Sequence, residues 1–176
     1  MRRLLLLRHA KAERLQPGGR DHDRILAKRG RDDAAAVGAY LVRHKLIPDQ
    51  ALVSTSARTR ETWALVAKSF ATKVPPVEFE ETIYEASPEA ILKAVRASDP
   101  AAKTLVVVGH NPGMQQLAAM LIASGDVEAR QRLLEEFPTS AIAIISFAVQ
   151  EWESLHANGG RLEHFVTPQT LEATTD

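Results

Sequence analysis

Two short apolar runs in this 176-residue chain end abruptly in basic residues. Leu4–Leu7 runs directly into Arg8 and His9, and Thr104–Val108 runs into Gly109 and His110. A third apolar stretch, Ala51–Ser54, is followed by Thr55-Ser56-Ala57-Arg58. Two guanidinium groups that can fork onto oxyanions, together with two imidazoles of which one can attack phosphorus, are the parts of a phosphoryl pocket. His110 also precedes Asn111-Pro112-Gly113, where the free N–H groups of a helix start would favour an anion. Cysteine is absent, which excludes a thiolate nucleophile, a disulfide framework and Cys-ligated metals.

The elements around these residues follow from periodicity. Arg3–Leu7, Ala51–Ser54, Val77–Phe79 and Thr104–Val108 are short, mostly continuous apolar runs, as expected of strands covered on both faces. Between and after them lie amphipathic segments that predict helices over Asp32–His44, Arg58–Phe70, Pro88–Ala97, Gly113–Ala123 and Val127–Glu136. Ser87 is a fitting N-cap with Pro88 at the first helical position, and Asn111 with Pro112 repeats the arrangement. Ala141–Val149 reads as a strand, and the turn signal Asn158-Gly159 returns Arg161–Thr167 as an antiparallel edge strand. An edge hairpin of this kind could pair with a second copy, although the oligomeric state is not readable. Residues from Pro168 onward are small, polar and acidic, and are expected to fray.

Strands separated by helices of ten to fifteen residues predict right-handed crossovers and a three-layer α/β/α sandwich around a mostly parallel sheet. Ligands in such folds sit at the carboxyl ends of the strands. Arg8-His9 and Gly109-His110 should therefore emerge on one edge of the sheet.

Hydrophobic residues make up 45% of the chain and charged residues 25%, which fits one ordinary domain over residues 1–176. Lys plus Arg is 22 and Asp plus Glu is 22, so no surplus positive charge points to nucleic acid or to a membrane surface. The run Leu4–Leu7 is too short for a secretory core of about 7–15 apolar residues, and no stretch approaches the ~18 of a membrane span. A cytoplasmic protein is the expectation. No H-x-x-x-H or paired-aspartate ligand set is present, so neither a metal nor another cofactor is expected.

Taken together, several blocks resemble the histidine phosphatase superfamily, whose fold is called phosphoglycerate mutase-like. Leu7-Arg8-His9-Ala10-Lys11-Ala12-Glu13 resembles the R-H-G signature, and Asp23–Gly30 the D-x-x-R-x-L-T-x-x-G segment. Ser54–Thr62 resembles S-S-P-x-x-R-A-x-x-T, and Ile83-Tyr84-Glu85-Ala86 the L-Y-E-A segment. Val108–Pro112 matches V-G-H-N-P, and Phe137–Ala141 resembles F-P-T-G-A. The blocks occur in the family's order over nearly the whole chain, and the pattern is most similar to the compact SixA-type phosphohistidine phosphatases.

The resemblance implies a metal-independent phosphatase with His9 as nucleophile, carrying a transient phosphohistidine, and Arg8, Arg58 and His110 around the phosphoryl oxygens. Asn111 would join them in binding substrate. Glu85 would protonate the leaving group, with Asp21 and Asp23 in the loop after His9 as alternatives. Three departures stand out: Ala10 replaces the usual Gly, Ser56 stands where many relatives have Pro, and Thr59 where Ala is usual. No insertion between Thr62 and His110 is long enough for a lid, which suits a phosphoryl group presented on a protein side chain. The substrate is thus expected to be a phosphohistidine domain of a protein; a small phosphorylated metabolite, or a non-catalytic phosphate- or phosphoprotein-binding module, remains open. His22, His44, His156 and His164 are expected at the surface or internally satisfied, and Trp63 and Trp152 as core or interface anchors. Gly18-Gly19 reads as a flexible loop, and Lys28 and Arg29 as solvated charges.

Overall fold

The computed structural model describes residues 1–173. The first strand, β1 (Arg2–Arg8), carries the four consecutive leucines, and each is fully buried. A strand alternates its faces, so a continuous apolar run requires cover on both sides. Leu4 and Leu6 join one core, with Leu105, Val107, Ile91, Val95, Leu117 and Leu121. Leu5 and Leu7 join the other, with Val106, Val108, Val37, Leu41 and Val66. The two cores make the three layers. Helices α1 (Lys28–Arg43) and α2 (Ala57–Ala67) cover one face, and α3 (Pro88–Arg96), α4 (Gly113–Leu121) and α5 (Val127–Glu135) the other.

The sheet contains β2 (Gln50–Ser54), β3 (Val77–Glu80), β4 (Thr104–Gly109), β5 (Ile122–Gly125), β6 (Ile142–Phe147) and β7 (Gly160–Val166), in the order β3-β2-β4-β1-β6-β7-β5. It is mostly parallel, and β6 runs against its neighbours β1 and β7. Register decides where the chemistry goes. Arg8 lies opposite Gly109, and Val53 opposite Val108, so β1, β2 and β4 end together. Arg8-His9, Gly109-His110 and the residues after Ser54 leave the sheet at one edge, as expected.

Four expectations are corrected. Arg161–Thr167, expected as the edge strand, corresponds to β7, which is paired on both sides because β5 adds on beyond it. The proposed self-pairing of that hairpin loses its free edge. The helix expected to reach Ala123 stops at Leu121, since Ile122–Gly125 pairs with β7 instead. Helix α1 begins at Lys28 rather than Asp32, one turn earlier, and i,i+4 pairs Lys28–Asp32 (2.9 Å) and Arg29–Asp33 (3.7 Å) line its start.

The fourth correction concerns the tail. Pro168–Ala173 forms a helix, α6, with Leu171 buried in the core that α1 and α2 cover. Thr167 and Thr170 cap each other: each hydroxyl accepts the other's backbone N–H, at 2.8 and 3.2 Å. The remaining residues of the expected frayed tail, 174–176, lie outside the described residues. Trp63 and Trp152 are buried as expected, the latter in a one-turn helix Trp152–Ser154 that lengthens the connection between β6 and β7.

Candidate active site

Three strand ends and two loops converge on Arg58. Arg58 is 2% exposed, and every nitrogen of its guanidinium has a partner. Nε faces Nε2 of His9 at 3.4 Å, and Nη1 donates to the Asp21 carbonyl at 2.9 Å. Nη2 approaches Asp21 Oδ2 (3.1 Å), Glu85 Oε1 (3.0 Å) and His110 Nδ1 (3.3 Å). The rings of His9 and His110 are 5.3 Å apart between centroids. Residues separated by up to a hundred positions in the chain thus meet around one side chain.

Local structure explains how Arg58 is held. Ser56 caps α2, accepting the Thr59 N–H at 3.4 Å, and the two hydroxyls bond to one another at 2.7 Å. Thr59 Oγ1 also lies 2.6 Å from the Ser54 carbonyl oxygen, to which it can donate. These two fully buried residues are the departures noted in the sequence, and together they restore the restraint that a proline would give. Thr62, one turn on, donates to the Arg58 carbonyl at 2.7 Å and accepts the Ala10 N–H at 2.9 Å. It ties α2 to the segment after His9. On the other side of that segment, a Cβ on Gly30 would meet the Lys11 carbonyl oxygen at 2.1 Å, so only glycine admits this approach of α1.

Arg8 is braced differently. Its Nη1 donates to the Phe137 carbonyl at 2.9 Å, and Asn111 Nδ2 donates to the same oxygen at 3.0 Å. Asn111 Oδ1 accepts the Gln115 N–H at 3.2 Å in the first turn of α4, although Pro112, expected at the first helical position, takes the N-cap place instead of Asn111. Both ends of the Asn111 amide are therefore engaged with the protein, and its geometry positions Arg8 and α4. Arg8 Nε is buried and has no hydrogen-bond partner among the described residues.

The carboxylates sort themselves clearly. Glu85 lies 3.8 Å from His110 Nδ1 as well as on Arg58, and its backbone sits at φ 51°, a left-handed conformation costly for a non-glycine residue. Ser140, whose N–H bonds the carbonyls of Arg8 and His9, is at φ 63°. Two strained residues thus flank the cluster. Asp21 also faces it, whereas Asp23 turns to solvent 4.0 Å from His22.

The chain's sequence and shape have close counterparts. The sequence model of the histidine phosphatase superfamily (branch 1) matches residues 4–88. A solved structure from Nakamurella multipartitia, assigned to phosphohistidine phosphatase SixA, is 30% identical, covers 95% of this chain and 96% of its own, and superposes with a TM-score of 0.83. Its counterpart from Agrobacterium tumefaciens is 30% identical over 95% and 98%, with a TM-score of 0.77. An uncharacterized protein of Mycobacterium leprae is 32% identical over 169 residues, 93% of this chain and 100% of that one.

The chain belongs to the histidine phosphatase superfamily. It is a SixA-type phosphatase with the phosphoglycerate mutase-like fold, and the groups around Arg58 are read on that basis. His9 Nδ1 lies 2.8 Å from the Ala10 carbonyl, which can only accept, so Nδ1 carries the proton. Nε2 is therefore unprotonated and accepts from Arg58 Nε–H at 3.4 Å. His110 is oriented in the same manner: Arg58 donates towards Nδ1, so Nε2–H donates to the buried Ser54 hydroxyl at 2.7 Å. Ser54 and Tyr84 were missed by sequence reasoning. Ser54 closes an apolar strand, where it looked like part of the run. Tyr84 lay inside a quoted block but had no task until its hydroxyl was seen on Asp21 Oδ2 and its ring edge-on to His110, 5.2 Å between centroids. His22, expected to be surface or satisfied, is satisfied by Thr55 Oγ1 at 2.9 Å and packs edge-on to Tyr84.

Burial is the main cause of the two imidazoles' low basicity, with neighbouring Arg58 and Arg8 adding to it. His9 is lowered to about 4, and His110, further disfavoured by His9 itself, to about 3. Both are neutral at physiological pH. An NMR titration should place the His9 midpoint near 4 rather than the ordinary ~6.5; a midpoint above 6 would contradict this environment. Because the folded state refuses protons that the unfolded chain accepts, these groups contribute stability above pH ~6.5 that is lost as pH falls towards 4.

Proposed function

We propose that this phosphatase hydrolyses phosphohistidine on proteins through a covalent phosphohistidine intermediate on His9. The observation that carries the reading is Arg8 Nε, a buried cationic donor without a partner, on the residue next to a neutral buried imidazole. An unmet buried donor costs on the order of 1–3 kcal/mol. A phosphoryl oxygen would meet it. In this reading His9 Nε2 forms a bond to phosphorus as the bond from phosphorus to the substrate's imidazole nitrogen breaks. The departing imidazole takes its proton from Glu85 or from water. Water then attacks the phosphohistidine, the bond to Nε2 breaks, and orthophosphate leaves, the water proton passing to the Glu85 carboxylate. Arg8 and Arg58 hold the oxygens throughout, with His110 bonded behind Arg58, which is the larger part of phosphoryl-transfer catalysis.

A leaving imidazole, of ordinary pKa ~6.5, needs less help than an alkoxide. The exposed Glu85 carboxylate suits that modest demand. Asp21 does not, since it is held ionised by Tyr84, Arg24 and Arg58. Among the described residues no helix is long and apolar enough to cross a membrane, and a cytoplasmic setting is part of the same proposal.

The test compares phosphate release from a phosphohistidine-bearing protein with release from a panel of small phosphomonoesters, with and without EDTA. The protein substrate should be turned over, and EDTA should leave the rate unchanged. Turnover confined to small esters would move the function to metabolites. Binding without turnover, and without acid-labile phosphate on His9, would make the chain a binding module.

A further inference from the structure

Asp21 sits in a one-turn helix, Asp21–Asp23, on the loop after His9, and no step above uses it. It is nevertheless among the most firmly held side chains of the site. Its Oδ2 accepts from Tyr84 and, at 3.1 Å, from Arg58 Nη2; its Oδ1 accepts from Arg24 Nη1 at 3.1 Å. The Tyr84 hydrogen bond is the largest cause of its depressed pKa, lowered to about 2, with Arg24 and Arg58 contributing. The side chain is 41% exposed. A charged carboxylate is thus fixed at the mouth of the pocket.

Where it sits relative to the reaction follows from Arg58. The Nε of that guanidinium faces His9 Nε2, whereas Nη2 faces Asp21 and Glu85. In an in-line displacement at phosphorus, the leaving group lies opposite the nucleophile. His9 and His110 are buried, whereas the Asp21 and Glu85 side chains are 41% and 53% exposed, so a leaving group that extends from His9 towards solvent passes the carboxylates. A fixed negative charge there repels an anionic leaving group and favours one that is cationic or presents an N–H. Protonated phosphohistidine is such a group; a phosphorylated carboxylic acid is the reverse.

We infer that Asp21 is a specificity-determining residue, selecting phosphoryl groups carried on a protonated nitrogen heterocycle over phosphoesters of anionic compounds. This rests on the proposed function and narrows it to a chemical class of leaving group. Glu85, which gives and takes protons in the proposed steps, lacks the Tyr84 and Arg24 bonds that fix Asp21.

The experiment uses the purified full chain and two small probes, phosphoimidazole and phosphoglycolate, with kcat/KM measured for each. Wild type should prefer phosphoimidazole. Asp21→Asn should lower the ratio of the two by about tenfold or more, chiefly by a gain on phosphoglycolate, and Asp21→Glu should restore part of the preference. Asp21→Asn should also bind inorganic phosphate more tightly as an inhibitor. A fall of both probes together, with the ratio kept within about twofold, would overturn the inference and leave Asp21 as a brace for Arg58. Wild type inactive on phosphohistidine protein and on phosphoimidazole would sink the proposed function. In that case the inorganic phosphate comparison still reads the charge at Asp21, and equal or weaker binding by Asp21→Asn would refute its role.

Discussion

Replacing His9 with alanine is expected to abolish turnover, with a loss of at least about 10⁴-fold, or ~5.5 kcal/mol in the barrier. As the proposed nucleophile, His9 is the one group whose removal stops both half-reactions. His110 cannot take its place: its Nε2 donates to Ser54 and its Nδ1 is covered by Arg58 and Glu85. The wild-type protein quenched during turnover should carry acid-labile phosphate on His9, and the variant none. Thermal unfolding separates this from misfolding. His9→Ala removes a ring bonded to the neighbouring Ala10 carbonyl and, at a longer 3.4 Å, to Arg58 Nε, so the variant should stay folded. Residual activity within tenfold of wild type would mean that another group attacks phosphorus.

Arg58→Ala should be nearly as damaging, by about 10³-fold or more, ~4 kcal/mol. The guanidinium meets His9, His110, Asp21 and Glu85 together, and its loss leaves two carboxylates uncompensated beside the phosphoryl site. Anion repulsion would then add to the lost clamp. Arg58 is also one of the groups that lower His9, so its removal moves the His9 pKa upwards. The variant should therefore be more impaired at pH 6 than at pH 8, where the imidazole is again neutral. Arg58→Lys should recover little, because an ammonium on a flexible stem cannot bridge partners set by a planar fork. A pH-independent loss below tenfold would remove Arg58 from the clamp.

Much of this site was readable before any coordinates. The abrupt end of Leu4–Leu7 in Arg8-His9, and of Thr104–Val108 in Gly109-His110, needs only the rule that buried parallel strands deliver their ends to one edge. The structure bears that out by register. What failed were elements without a pattern of their own. Ile122-Ala123-Ser124-Gly125 has neither period two nor a β-branched run, and it becomes a strand because β7 offers it a ladder. The tail, by contrast, did carry a sign that went unused: Thr167-Pro168 with Thr170 is a reciprocal cap followed by proline at the first helical turn.

By itself, then, the amino-acid order determined the alternation of buried strands with amphipathic helices, the absence of any thiol, and which basic residues close the strands. These are properties of short segments, since periodicity and chain termini of elements are local. The tertiary structure alone decided which carboxylate faces the chemistry, which nitrogen of each imidazole carries the proton, and that Arg8 Nε is left unmet. Asp21 and Asp23 are two residues apart and alike in sequence. Only packing turns one onto Tyr84 and Arg58 and the other to water. Likewise the low basicity of His9 and His110 arises chiefly from burial and from each other's company across a hundred residues of chain, which no local pattern can encode.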